Sequence, residues 1–205
     1  MKKRDIPKET VNRLPLYLRC FERLLEEEEY TVTSEALSRR LNLNSYLVRK
    51  DLSRFGDFGT RGVGYKTRKL AEKLRAILHV NRKWKVAIAG IGNVGFALMT
   101  YSGFDREVFD IAVAFDKDPE LIGEEVNGVI IEDEQELTRR VKEERVKLGI
   151  IAVPPAEAQK VAEKMVKGGI QGLLNFAPTQ MDLPEDVRLT HMFFTKELET
   201  LAYYL

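Results

Sequence analysis

The sequence predicts an α/β chain in two parts, a small helical domain followed by a doubly wound parallel sheet. Three observations predict it. A mostly apolar run from Lys85 to Ala89 leads straight into Gly90-Ile91-Gly92-Asn93-Val94-Gly95, the order of strand, tight glycine turn and helix start that opens a βαβ unit. Further apolar runs then alternate with amphipathic segments as far as Ala177, as parallel strands with crossover helices require. Upstream of the turn the apolar spacing is helical, and the charge changes sign. Residues 1–85 hold 21 Lys and Arg against 11 Asp and Glu, a balance of +10, whereas residues 86–205 hold 12 against 21, a balance of −9. The net charge of +1 conceals this asymmetry, which predicts a polyanionic partner for the first domain alone.

Other bounds are broad. With 205 residues, 44% of them hydrophobic, the chain can form one large or two small globular domains. No run approaches the ~18 apolar residues of a membrane span. The charged start, Met1 to Asp5, leads into no apolar stretch, so no secretory signal is expected and a cytoplasmic location is. Cys20, the single cysteine, excludes an intramolecular disulfide and a cysteine-based zinc cluster; no metal site is expected, and Cys20 should pack as a small apolar residue in a helix.

Taken in order, Val11, Leu14, Leu18, Phe21 and Leu25 recur three and four apart between Pro7 and Glu28 and predict a first helix, with a bend at Pro15. Thr33 should cap a short helix through Leu41, with Glu35 in its first turn, and Asn44 should cap the next, Ser45 to Phe55. That helix has an apolar side of Leu47, Val48, Leu52 and Phe55 and a polar, cationic side of Ser45, Arg49, Lys50 and Ser53. Two helices joined by a short turn, the second cationic, form a helix-turn-helix pattern. Phe58-Gly59-Thr60-Arg61-Gly62-Val63-Gly64-Tyr65 then reads as a β-hairpin wing with Arg61 at its tip, placed for a minor groove. The expected DNA face comprises Ser45, Tyr46, Arg49, Lys50 and Ser53 on the helix with Arg61, Gly62 and Tyr65 on the wing. A fourth helix, Lys66 to about Val80, should bury Leu70, Leu74, Ile77 and Leu78. Asn81 to Trp84 reads as a hinge, so the expected domains are 1–81 and 82–192, with 193–205 as a C-terminal helix.

The second domain predicts a cofactor site. In G-x-G-x-x-G, Gly90 permits the tight turn, Gly92 lets the backbone approach a pyrophosphate and Gly95 lets helix and strand pack closely. The anion sits on the free N–H groups of the helix start, Asn93 and Val94 among them. A second strand, Val108 to Phe115, delivers Asp116 at the interval where a carboxylate accepts both ribose hydroxyls of an adenosine. That carboxylate repels a 2′-phosphate and predicts NAD(H) over NADP(H), with adjacent Lys117 as the opposing influence. Strands at Leu148–Val153 and Leu173–Ala177 and helices at Gln135–Glu144 and Ala156–Lys167 complete the alternation. Ligands of such a sheet lie at the carboxyl ends of its strands, which adds the loops Val153-Pro154-Pro155 and Asn175-Phe176-Ala177-Pro178. Neither His79 nor His191 has an obvious carboxylate to orient it, so no acid–base pair of a dehydrogenase is evident and no enzyme is expected. A dinucleotide site joined to a winged helix predicts a regulator that reads nicotinamide redox state. The alternative is an NAD-dependent or nucleotide-binding metabolic enzyme whose N-terminal helices only dimerise.

Several stretches together resemble the Rex redox-sensing transcriptional repressors: Arg13-Leu14-Pro15 with a nearby tyrosine, Val48 to Ser53 with Phe55-Gly56, the wing Gly59 to Tyr65, the glycine turn, Phe115-Asp116, and Leu174 to Pro178. The resemblance covers essentially the whole chain. It implies a homodimer with an N-terminal winged-helix domain, a Rossmann-like doubly wound parallel sheet holding NADH or NAD+, and a C-terminal helix swapped between subunits. It also implies a pseudo-palindromic operator that is released on NADH binding. The family's pattern places an aspartate and an apolar residue before the last helix, the aspartate in a polar latch with residues matching Arg13 and Tyr101; here the pair is Phe193-Phe194. Phe193 cannot accept a hydrogen bond, whereas Phe194 matches a residue packed near the partner's nicotinamide, so Tyr101 and Phe194 join the expected cofactor site. Independently, Phe194, Leu198, Leu201, Ala202 and Leu205 form one apolar helical stripe that needs covering.

Overall fold

Helix α1 (Lys8–Glu26) starts directly after Pro7 and carries Leu14, Tyr17, Leu18, Phe21 and Leu24 on its buried side, the three-and-four spacing of an amphipathic helix. It is helical without a break across Pro15. The computed structural model describes residues 6–60, 63–102 and 107–205, and the chain divides into two units, Met1–Asn81 and Arg82–Leu205.

In the first unit, α1 is followed by β1 (Thr31–Val32), α2 (Ser34–Leu41) and α3 (Ser45–Ser53). Thr33 Oγ1 accepts from Ala36 N at 3.1 Å and Asn44 Oδ1 from Tyr46 N at 2.8 Å, satisfying one free donor at each helix start. The hairpin β2 (Gly59–Thr60) and β3 (Gly64–Lys66) leads into α4 (Thr67–Ile77). Among the described residues these strands form a sheet in the order β1-β3-β2, with both pairings antiparallel. Strand β1 was not expected; two residues carry no readable alternation. Helices α1 and α4 pack together around a core that includes Phe21, Leu37, Val48, Leu52, Leu70 and Leu74, with half-buried Cys20 against it. Burial pushes the Cys20 thiol up.

The second unit runs β4 (Trp84–Ala89), α5 (Asn93–Thr100), β5 (Phe109–Asp116), β6 (Glu125–Val126), β7 (Val129–Asp133), a 3-10 turn leading into α6 (Leu137–Glu143), β8 (Leu148–Ile151), α7 (Pro155–Gly168), β9 (Gly172–Asn175), β10 (Arg188–His191) and α8 (Phe194–Tyr203). Among the described residues the sheet order is β10-β9-β8-β4-β5-β7-β6. Every pairing is parallel except β6 with β7. Side chains alternate across β4. Ala87 and Ala89 join a core with Leu137, Val141, Val161 and Met165 of α6 and α7, while Val86 and Ile88 join Met99 of α5. Both faces are therefore apolar, as a doubly wound parallel sheet requires. The chain runs outward from β4 in both directions, which makes the β4/β8 boundary the switch point where such sheets bind ligands. Helix α8 buries no residue within its own chain, and Phe194, Leu198 and Leu201 are each more than 60% exposed.

Candidate cofactor cleft and nucleic-acid interface

Four strand ends converge on one cleft of about 440 Å³ in the second unit. The turn after β4 contributes Gly90, Gly92, Asn93 and Val94; the end of β5 contributes Asp116, Lys117 and Asp118. Val153 and Pro154 follow β8, and Phe176, Ala177 and Pro178 follow β9. The glycine turn is dictated by space. Gly90 has φ +88° and a Cβ there would lie 2.6 Å from Ala152 O, while a Cβ at Gly95 would lie 1.8 Å from Gly90 O. Around Gly92 no atom stands within 4 Å of an added Cβ, so its backbone borders open space at the start of α5. No side chain caps that helix start, which leaves its first N–H groups available to an anion.

Asp116 is more heavily engaged than the sequence implies. Its Oδ2 accepts from Ile91 N at 2.6 Å and its Oδ1 from Lys117 N and Asp118 N at 2.7 and 2.9 Å. A carboxylate has about four acceptor sites. The expected acceptance of both ribose hydroxyls is therefore corrected: with these amides in place, Asp116 has room for one. Lys117 Nζ is ion-paired with Glu157 Oε1 in the first turn of α7.

Other expected residues stand elsewhere. Gly95 packs behind the turn. Asn175 is fully buried: its Nδ2 donates to Ala177 O at 2.8 Å, its Oδ1 accepts from Ala177 N at 2.9 Å, and its Nδ2 lies 3.1 Å from His191 Nδ1. It shapes the Phe176–Pro178 loop without facing the cleft, because its polar atoms are spent on that loop. Tyr101 follows α5 and is 59% exposed; eight helical residues put it about 12 Å along the axis from the glycine turn, so within one chain it does not join the cleft. Phe194 lies 6.1 Å, centroid to centroid, from Phe176, and Phe193 stacks on His191 at 5.0 Å. The sequence reading missed Asp118, Leu121, Glu134, Ala152 and Glu157 on the cleft wall. Glu134 follows the unexpected strand β7, and Glu157 follows Pro154-Pro155, where an acid at a helix start was the available signal.

On the first unit, α3 exposes Tyr46, Arg49, Lys50 and Ser53 and half-exposes Ser45, while Val48, Asp51 and Leu52 are buried. Lys50 Nζ lies 6.0 Å above the Tyr46 ring. Arg49 Nη1 donates to Ser34 Oγ and Glu35 Oε1, each at 3.0 Å, so the guanidinium is held at the start of α2, on the wall of a groove that Gly59, Thr60 and Gly64 of the hairpin also line. Tyr65 requires a correction. It is 7% exposed and belongs to the core, because β3 pairs on both edges and turns this ring inward against Gly59. Arg61 and Gly62 lie outside the described residues.

One cluster escaped the sequence reading. Asp51, 1% exposed, accepts from Thr10 Oγ1 at 2.9 Å, from Arg13 Nε and Nη2 at 2.6 and 3.0 Å, and from Tyr17 Oη at 2.8 Å. Burial pushes the carboxyl up, but the bonds from Arg13, Tyr17 and Thr10 outweigh it and hold Asp51 below the usual carboxylate range. Burial and the bond to Asp51 push the Tyr17 hydroxyl up. The cluster ties α3 to α1. An acid next to Leu52 on an otherwise apolar face was the available signal, paired with Arg13 and Tyr17 four apart on α1.

Comparison with known proteins covers both units. A model described as a CoA binding domain matches residues 81–179, and one described as a putative DNA-binding protein N-terminus matches residues 5–53. Proteins named redox-sensing transcriptional repressor Rex from Syntrophobacter fumaroxidans and Brevibacillus brevis are each 40% identical to this chain, over 100% of it and 98% and 99% of their own lengths. Among solved structures, RSP in complex with beta-NAD+ and operator DNA superimposes with a TM-score of 0.93 at 30% identity, covering 98% of this chain and 93% of that one. RSP in complex with beta-NADH gives 0.89 at 28% identity, covering 98% and 95%; RSP is described as a Rex-family repressor. Identity of 40% over the full length of this chain places it in the redox-sensing transcriptional repressor Rex family.

Proposed function

We propose that this chain is a transcriptional repressor that senses the NADH/NAD+ ratio, binds pseudo-palindromic operator DNA as a homodimer in the cytoplasm, and leaves that DNA when NADH binds. The observation that carries the reading is the cleft at the switch point, a glycine turn facing Asp116, in the same chain as a helix exposing Arg49 and Lys50. The open space beside Gly92 fits a pyrophosphate. The N–H groups of Asn93 and Val94 would bind it, Asp116 would hold one adenosine ribose hydroxyl, and Phe176 and Pro178 would border the nicotinamide end. Bound NAD(H) supplies no chemistry to a substrate here; its redox state is the signal.

Ser45, Arg49 and Lys50 would read base edges and Arg61 a minor groove. Helix α8 exposes Phe194, Leu198 and Leu201, and a second copy would cover this stripe by exchange of the helix. Phe194 would then stand beside the partner's nicotinamide, so that cofactor state sets the geometry of the dimer. Selection from random duplexes by the full-length protein tests the DNA half of this reading. An inverted repeat with half-sites one helical turn or a multiple apart is expected; enrichment of no inverted repeat would refute sequence-specific repression.

A further inference from the structure

Lys117 is the one cation among the described residues that line the cleft, beside the carboxylates Asp116, Asp118, Glu134 and Glu157. Its place matters. A cation immediately after the ribose-binding acid is where an adenosine 2′-phosphate finds its counter-charge. By sequence, then, Lys117 opposes the selectivity that Asp116 confers.

The structure answers this with Glu157. Helix α7 begins at Pro155, the Pro154-Pro155 pair setting its start, and its first turn brings the Glu157 carboxylate onto Lys117 Nζ. The Lys117 side chain is 64% exposed and that of Glu157 30%, so the carboxylate is the more buried partner of the pair. The hydrogen bond and charge of Glu157 also raise the proton affinity of the lysine. Glu134 is engaged elsewhere, paired with Lys164 at 2.6 Å and only 14% exposed. Asp116 cannot swing away to make room for a phosphate, because three backbone amides hold it.

We infer that Glu157 is a specificity-determining residue: by holding the Lys117 ammonium on α7, it denies a 2′-phosphate the one cation among the described cleft residues and restricts the cleft to dinucleotides with a free 2′-hydroxyl. This rests on the nicotinamide-dinucleotide reading of the cleft. An exposed pair of this kind competes with a ligand and does not lock it out, so its loss changes the selectivity by a factor and does not invert it.

The experiment measures NADH and NADPH affinities of the full-length protein by cofactor fluorescence at fixed, low ionic strength, for the unsubstituted chain, Glu157→Gln and Glu157→Gln/Lys117→Ala. The ratio of NADPH to NADH affinity is expected to rise about five- to tenfold in Glu157→Gln and to fall back in the double variant, since the freed lysine supplies the gain. A ratio unchanged within twofold in Glu157→Gln overturns the inference. So does a gain that survives Lys117→Ala, because Glu157 would then act by repulsion alone. An unsubstituted protein that binds neither dinucleotide contradicts the cofactor reading itself, a separate outcome.

Discussion

Replacing Asp51 with alanine removes the acceptor of four hydrogen bonds that join α1 to α3. Removing one partner of a buried charged pair costs about 3–5 kcal/mol. Here the two ends of the cluster differ. The Arg13 side chain is 22% exposed and can recover part of its hydration by turning outward, whereas Tyr17 and Thr10, at 0% and 2%, cannot. The expected loss is therefore toward the lower end, about 3–4 kcal/mol, a large share of the roughly 5–15 kcal/mol of a folded domain. Native-state hydrogen exchange on the full chain reads it locally. Protection of the α3 amides at Val48 and Leu52 should fall by about two to three orders of magnitude, while β4 and β8 in the second unit stay protected. A loss below about 1 kcal/mol at α3 would refute the reasoning that this cluster fixes α3. The pH dependence has a definite sign. Because the folded carboxyl lies below its unfolded value, its stabilisation is complete above about pH 4 and drains away as pH falls toward the folded value. Asp51→Asn should flatten that acid limb, as acid-induced exchange at α3 would record.

Three further outcomes follow from the same geometry. Gly95→Ala puts a Cβ 1.8 Å from Gly90 O, so the turn must open; calorimetry should find NADH binding lost while far-ultraviolet dichroism keeps the α/β signature, and retained affinity would contradict the role of the turn. Asp116→Asn keeps an acceptor for two loop amides but loses the charge, and should weaken NADH by about 10- to 100-fold, the worth of a charge-assisted bond; undiminished NADH binding would show the acid to be structural. Phe194→Ala, or truncation after Thr195, should leave both units folded and uncouple DNA release from NADH; release unchanged in both variants rules out α8 as the link.

How much of this is legible in the residues depends on whether local periodicity or distant pairing determines the outcome. Thr33, Asn44 and the alternation Val86, Ala87, Ile88, Ala89 act within a few residues, so the helix starts and the central strand read directly. Strands β7 and β10 do not. Val129–Asp133, though paired on both sides, has only three apolar residues before two acids, and Arg188–His191 pairs along one edge only among the described residues, so it does not need the apolar run of a central strand. At the cleft, the glycine turn and the ends of β5, β8 and β9 are legible as a place, because a parallel sheet sends its strand ends to one edge. What each side chain does there is less so. Asn175 looks like a ligand-facing polar residue and is consumed by its own loop. Lys117 looks free and is paired forty residues away. Tyr65, in a glycine-rich wing, looks exposed and is core, while Asp51, a charge in a helix, looks solvated and is the buried join between helices. Each of these is decided by a partner distant in sequence.

NADH, and not NAD+, is expected to take this protein off its operator. Fluorescence anisotropy of a labelled operator duplex, bound by the full-length protein at one fixed salt concentration and titrated in parallel with each dinucleotide, tests it most directly. NADH is expected to release the duplex at concentrations where NAD+ leaves it bound. Equal release by both, or no release by NADH at saturating occupancy of the cleft, would contradict it.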